Sequence, residues 1–167
     1  MMDSRVIATE IEKRHPKPTV YLDSPTLAKL EGIMPKIMLG LRGIVFPQVP
    51  ISLLNEASHP HWYKTRVARA GKDLDQLAKE EGGQQAWDKL KPHIDEVTAL
   101  LKEDESGPYF MGKTVSYADF VWGGFLIFIK RVSLEEFQRL MKITGADSEV
   151  HNKLMVALGP WSLRDDS

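Results

Sequence analysis

An all-α domain wrapped around one buried helix is the fold that this 167-residue sequence predicts. Apolar residues recur at +3 and +4 through most long segments, the spacing that lines one face of a helix. The stretch from Phe120 to Ile129 is apolar on every side, as befits a helix surrounded by others, and a Ser-x-x-Asp signature opens it. Proline, glycine and short polar residues stand between the periodic segments, where helices start and stop.

Asp3 or Ser4 caps a first short helix carrying Ile7 and Ile11, which stops before His15-Pro16-Lys17-Pro18 because proline excludes the helical conformation of its predecessor. Residues 1–18 therefore read as an appendage and 19–167 as the domain proper. Thr19 to Leu22 favours β-structure. Ser24-Pro25 then supplies an N-cap and a first-turn proline for a long helix with Leu27, Leu30, Met34, Ile37 and Leu41 on one stripe, bent by Pro35. Gly43 to Pro60 holds three prolines and reads as a crossing segment or broken helix. From Trp62, helical spacing runs through Val67, Ala70, Leu74 and Leu77 to Gly82-Gly83, and a further helix carries Trp87, Leu90, Ile94, Val97 and Leu101 with a kink at Pro92. Glu103 to Pro108 is a turn.

Ser116 and Asp119 form a capping box for the central helix, with Val115 and Phe120 as its hydrophobic staple; a cap of this kind is worth about 1 kcal/mol. Gly123 and Gly124 inside that helix imply close backbone approach by a neighbour. A second box at Ser133 and Glu136 opens a helix with Phe137 and Leu140 that ends near Gly145. The last helix, with Val150, Leu154 and Leu158, ends at Gly159-Pro160.

Composition excludes several functions. A net charge of −1 leaves no excess of basic residues to hold nucleic acid, and the absence of cysteine removes disulfides, thiolate metal sites and a cysteine nucleophile. The apolar run is half the roughly 20 residues of a bilayer span, and Met1-Met2-Asp3-Ser4-Arg5 has no apolar stretch behind it, so a cytoplasmic protein with no membrane partner is expected. Five histidines lack metal-ligand spacing, so no metal is expected, and no nucleophile elbow, phosphate loop or dinucleotide fingerprint occurs.

Three groups of residues nominate a binding surface. Met34 and Met38 lie a turn apart with Arg42 a turn further, which suits either the wall of an irregular apolar pocket or core filling. Trp62, Arg66 and Arg69 share a helical face that suits either a docked anion or a solvated salt-bridging surface. Trp122 is either core or cavity wall, and Trp161 either a lid or a docked terminus.

Gly107-Pro108-Tyr109-Phe110-Met111-Gly112 followed by Val115-Ser116-Tyr117-Ala118-Asp119-Phe120 resembles the turn and capping box before the central helix of the glutathione transferase C-terminal domain. Asp3-Ser4-Arg5-Val6-Ile7-Ala8 with Pro16 and Pro18 is similar to the end of that family's thioredoxin-like half. Trp62-Tyr63-Lys64-Thr65-Arg66 with Gly71-Lys72-Asp73-Leu74 looks like its fungal etherase-like branch, the UstS type. The resemblance implies a homodimeric fungal protein whose helical domain binds a small hydrophobic or aromatic molecule in detoxification or secondary metabolism. It places Asp3 and Ser4 at the γ-glutamyl end of glutathione. The thiol-activating Ser, Tyr or Cys and the cis-proline of the thioredoxin-like half are expected before Met1, so glutathione transfer is implied only where that half is supplied. Two alternatives stay open: a non-catalytic ligand-binding or dimerisation module, and a cofactor-free enzyme catalysing cyclisation or isomerisation in the hydrophobic pocket, with no residue singled out as catalytic.

Overall fold

The computed structural model describes residues 4–162. Helices α1 (Ser4–Arg14), α2 (Pro25–Gly40), α3 (Arg42–Leu53), α4 (His59–Ala70), α5 (Leu74–Glu81), α6 (Gly83–Leu101), α7 (Tyr117–Val132), α8 (Leu134–Thr144), α9 (Ser148–Ala157) and the short α10 (Gly159–Ser162) follow one another with brief connections. No strand occurs among the described residues, only two isolated bridges in the turn before α7. The all-α expectation is met. Asp3 lies outside the described residues.

Helix α7 forms the centre, with α2, α3, α8 and α9 packed on it and α6 packed on α2 and α8. Trp122, Leu126 and Ile129 of α7 meet Leu27, Leu30 and Ile37 of α2 and Leu90, Ile94 and Val97 of α6 in a single core, all essentially inaccessible to water. Gly123 lets α9 press close: a Cβ there would collide with Leu158, whereas one on Gly124 would meet nothing, so close approach explains the first glycine and not the second.

The segment between α1 and α2 is irregular rather than extended. Tyr21 takes a left-handed conformation (φ 56°), and a lone backbone bond, Tyr117 N–H to the Val20 carbonyl (2.7 Å), ties the segment to the start of α7. The three-proline stretch is mostly helical, with Pro47 and Pro50 inside α3 and Pro60 in the first turn of α4. The apolar stripe from Trp62 to Leu77 is split in two, because Gly71 (φ 72°) ends α4 and the Asp73 carboxylate caps α5 at the Asp75 N–H. Met34, expected on the buried stripe of α2, is only half-buried, and Ile33 takes the buried place.

Two buried polar clusters fix the core. The Asp119 carboxylate accepts the Ser116 N–H (2.7 Å), the Ser116 hydroxyl (2.8 Å) and, across nine residues, the Phe110 N–H (2.8 Å). Burial pushes its carboxyl above the usual Asp range, and those donors oppose the push. In the second cluster the Trp122 indole N–H donates to His151 Nδ1 (3.0 Å), so the ring proton sits on Nε2, facing the Thr98 hydroxyl oxygen at 3.0 Å. Thr98 in turn donates to the Ile94 carbonyl (2.8 Å). Desolvation holds the pKa of His151 down, from 6.5 to about 4.

The first cluster makes Asp119→Ala more costly than a surface cap, because the Phe110 and Ser116 N–H groups lose their acceptor inside the protein: about 2–3 kcal/mol in urea unfolding, against about 1 kcal/mol for an exposed cap. The second gives a pH signature. Acidification through 6.5 protonates this histidine in the unfolded chain first, so its contribution to stability is complete above that pH and falls away towards 4. Unfolding free energy should drop by about 2–3 kcal/mol more between pH 7 and pH 4.5 than in His151→Gln, and parallel curves for the two proteins would refute the assignment.

Candidate functional site

The site is assembled where α2, α3, α4 and α5 meet. At Gly43 the backbone of α3 lies on the end of α5 so closely that a Cβ would stand 2.5 Å from the Glu81 carbonyl carbon. This contact brings the Arg42 guanidinium onto the Glu81 carboxylate in a two-pronged pair, Nε at 2.5 Å and Nη2 at 2.8 Å. The hydrogen bonds to Glu81 hold Arg42 above its ordinary pKa and Glu81 below its own. Lys72 completes the group, reaching Glu80 at 2.6 Å and Glu81 at 3.3 Å.

Beside this network opens a cleft of about 390 Å³ lined by Pro35, Met38, Leu39, Arg42, Phe46 and Arg69. Its walls are apolar and its polar groups are guanidinium. Phe46 is held by Trp62, whose ring meets it edge-on (centroids 6.1 Å apart) and whose indole N–H donates to the Phe46 carbonyl (3.0 Å). Arg66 lies over the Trp62 ring at 4.0 Å and over Phe46 at 5.6 Å. Burial, and secondarily the neighbouring Arg69, lower its pKa. Neither Arg66 nor Arg69 has a carboxylate partner among the described residues.

Of the residues singled out from sequence, Met38, Arg42 and Arg69 line this cleft, and Trp62 and Arg66 stand behind its Phe46 wall. Met34 packs against the core instead. Trp122 is fully buried, stacked on Phe125 and bound to His151, so it faces no cleft. Trp161 is 55% exposed and meets Phe120 of the first turn of α7 edge-on, and it does not line the cleft. Ser4 begins α1 on the surface. Phe46, Leu39 and Glu81 belong to the site without having been singled out; the signal for Glu81 was the pair Gly43 and Gly82, small residues where two backbones cross. Among the described residues no three His, Asp or Glu side chains converge to hold a metal, and no helix is long and apolar enough to cross a membrane.

Residues 31–161 match the family model of the glutathione S-transferase C-terminal domain. The chain belongs to that family. The glutathione S-transferase-like protein ustS of Aspergillus flavus is 26% identical over 157 residues, which cover 88% of this chain and 56% of the relative. A crystal structure of a Ceriporiopsis subvermispora glutathione S-transferase in complex with glutathione superposes with a TM-score of 0.80 at 23% identity, covering 99% of this chain and 68% of that one. A glutathione transferase of Phanerochaete chrysosporium gives 0.76 at 22% identity, covering 98% and 66%. This glutathione S-transferase helical domain therefore shares the fold of those structures and spans little more than half the length of the curated relative.

Proposed function

We propose that this helical domain binds a small hydrophobic or aromatic molecule in the cleft between Met38, Leu39, Phe46 and Arg69, and that it serves as the substrate-binding half of a glutathione-dependent transferase in detoxification or secondary metabolism. The observation that carries the reading is the cleft itself: Met38 and Leu39 stand 42% and 61% exposed beside Phe46, an apolar surface left uncovered while the core is closed. Thioether and ring side chains conform to ligands of irregular shape. Glutathione chemistry would draw on a thioredoxin-like half, with Asp3 and Ser4 at the glutathione end. Val6, Ile7 and Ile11 on α1, 63%, 41% and 55% exposed, offer apolar surface on which such a half could sit.

Joining the thioredoxin-like half of the Ceriporiopsis subvermispora protein to this chain is expected to give glutathione-dependent turnover of an aromatic electrophile. Met38→Trp, which fills the cleft from an exposed helix position, should raise KM at least about fivefold with kcat little changed. A chimera that folds, binds glutathione and consumes no electrophile removes the transferase reading.

The same reading makes the protein a homodimer. A groove of about 490 Å³ between α2 and α6 is floored by Gly32, Ile33, Ala99 and Leu100 and flanked by Lys29 and Lys36 on one side and Glu96 and Glu103 on the other, with Lys29 already paired to Glu103 (2.9 Å). A twofold axis running along such a groove sets Lys36 against the partner's Glu96. Gly32 has nothing within 4 Å of a would-be Cβ, so Gly32→Arg is expected to leave helicity intact and convert a dimer to a monomer in light scattering. A wild-type monomer at high concentration would overturn the dimer.

A further inference from the structure

The cations around the cleft are unevenly compensated. Arg42 is paired with Glu81 through Nε and Nη2, and Glu81 is shared with Lys72. Arg69 lines the same cleft with no carboxylate paired to it among the described residues, and Arg66, close enough for its charge to be felt, is stacked on Trp62 behind the Phe46 wall. Residues 57–72 contain Lys64, Arg66, Arg69 and Lys72 and no Asp or Glu, in a chain whose net charge is −1. Like charges a turn apart on a helix repel, so two adjacent guanidiniums without an acid between them make a local positive field. A guanidinium at the end of α4 is favoured by the helix dipole, which accounts for Arg69 as a structural residue. It does not account for its place in the wall of an apolar cleft next to a second unpaired arginine.

We infer that the cleft selects planar aromatic carboxylates, with the ring between Met38, Leu39 and Phe46 and the carboxylate received by Arg69. The inference rests on the proposed reading of the cleft as the substrate site and names the class of substrate. Guanidinium presents paired N–H donors that match both oxygens of a carboxylate, and Arg69 stands exposed where it lines the cleft. Arg42 is the poorer receiver, since the Glu81 carboxylate already answers its charge through Nε and Nη2. Arg66 adds charge from behind the wall without entering the cleft.

The experiment compares naphthalene-2-carboxylate with the neutral naphthalene-2-carboxamide, by calorimetry on the chain as it stands, in wild type, Arg69→Gln and Arg131→Gln. Arg131 lines a different cleft with Lys130, between α7 and α9, and serves as the control for unspecific attraction to surface cations. The expected result is a preference of roughly tenfold or more for the acid, collapsing to within about twofold in Arg69→Gln, unchanged in Arg131→Gln, and shrinking with added salt. Affinity for the amide should be the same in all three proteins, which a merely structural effect of Arg69 would not produce. Equal binding of acid and amide to the wild type overturns the carboxylate inference and leaves the apolar cleft standing. No binding of either overturns both. Loss of the preference in Arg131→Gln rather than Arg69→Gln places the anion elsewhere and refutes the assignment. Glutathione is the last arm: it carries carboxylates of its own, and if it displaces the naphthoate competitively, the assignment of Arg69 to aromatic acids is overturned in favour of the tripeptide's carboxylates.

Discussion

One buried carboxylate holds the turn, the helix start and the centre of this fold in register. Asp119 satisfies two backbone N–H groups at once, those of Ser116 and Phe110, and takes the Ser116 hydroxyl as well. An isolated capping residue satisfies one donor at a surface; this one also ties a loop nine residues upstream to the first turn of α7. Because α7 touches α2, α3, α8 and α9, the angle at which it enters the core decides where each of those helices can lie. Burial works against the charge on Asp119, and the converging donors are what make the arrangement tolerable.

Farther along the same helix, Trp122 and His151 solve a different problem. A tryptophan with no exposure must find an acceptor for its indole N–H, and a neutral histidine supplies one on Nδ1 while its Nε2–H donates to the Thr98 hydroxyl oxygen. The chain of bonds joins α7, α9 and α6, so it locks the direction of α9 where Gly123 has already allowed Leu158 to come close. Packing and hydrogen bonding specify the same arrangement there, which is what a unique core requires.

The helices and the central role of α7 were legible because each depends on local signals: stripes at +3 and +4, a capping box, glycine after the last turn. The misreadings have equally physical causes. The stripe from Trp62 to Leu77 keeps its period across a break, since Gly71 and Asp73 turn the chain without shifting the apolar phase much, and periodicity alone does not register that. Pro47 and Pro50 look like breakers, yet they sit within α3, where tertiary contacts with α5 and α7 outweigh the bonds that proline removes. Trp122 and Met34 could be wall or core from spacing alone, because an all-round apolar helix does not announce which of its faces is covered. Arg66 and Arg69 were visible as a cationic-aromatic face; that no acid answers them depends on which helices pack alongside, a fact of tertiary structure.

That last point separates the two halves of the charge cluster. On a freely solvated surface a carboxylate partner adds little to stability, so its absence near Arg66 and Arg69 would signify little. Here Glu80 and Glu81 lie on a helix packed against α4, and both are engaged by Lys72, with Glu81 taken also by Arg42. The acids that could have neutralised α4 are held at its edge by other cations, and the crossing at Gly43 fixes them in that position. Phe46 and Trp62 then keep water off one side of Arg66, which raises the cost of leaving its charge unanswered. A fold that anchors its available carboxylates to one side of a cleft and leaves cations on the other has built a field directed at whatever enters, and an anion fixed to an apolar body is the kind of ligand that such a field and such walls would hold together.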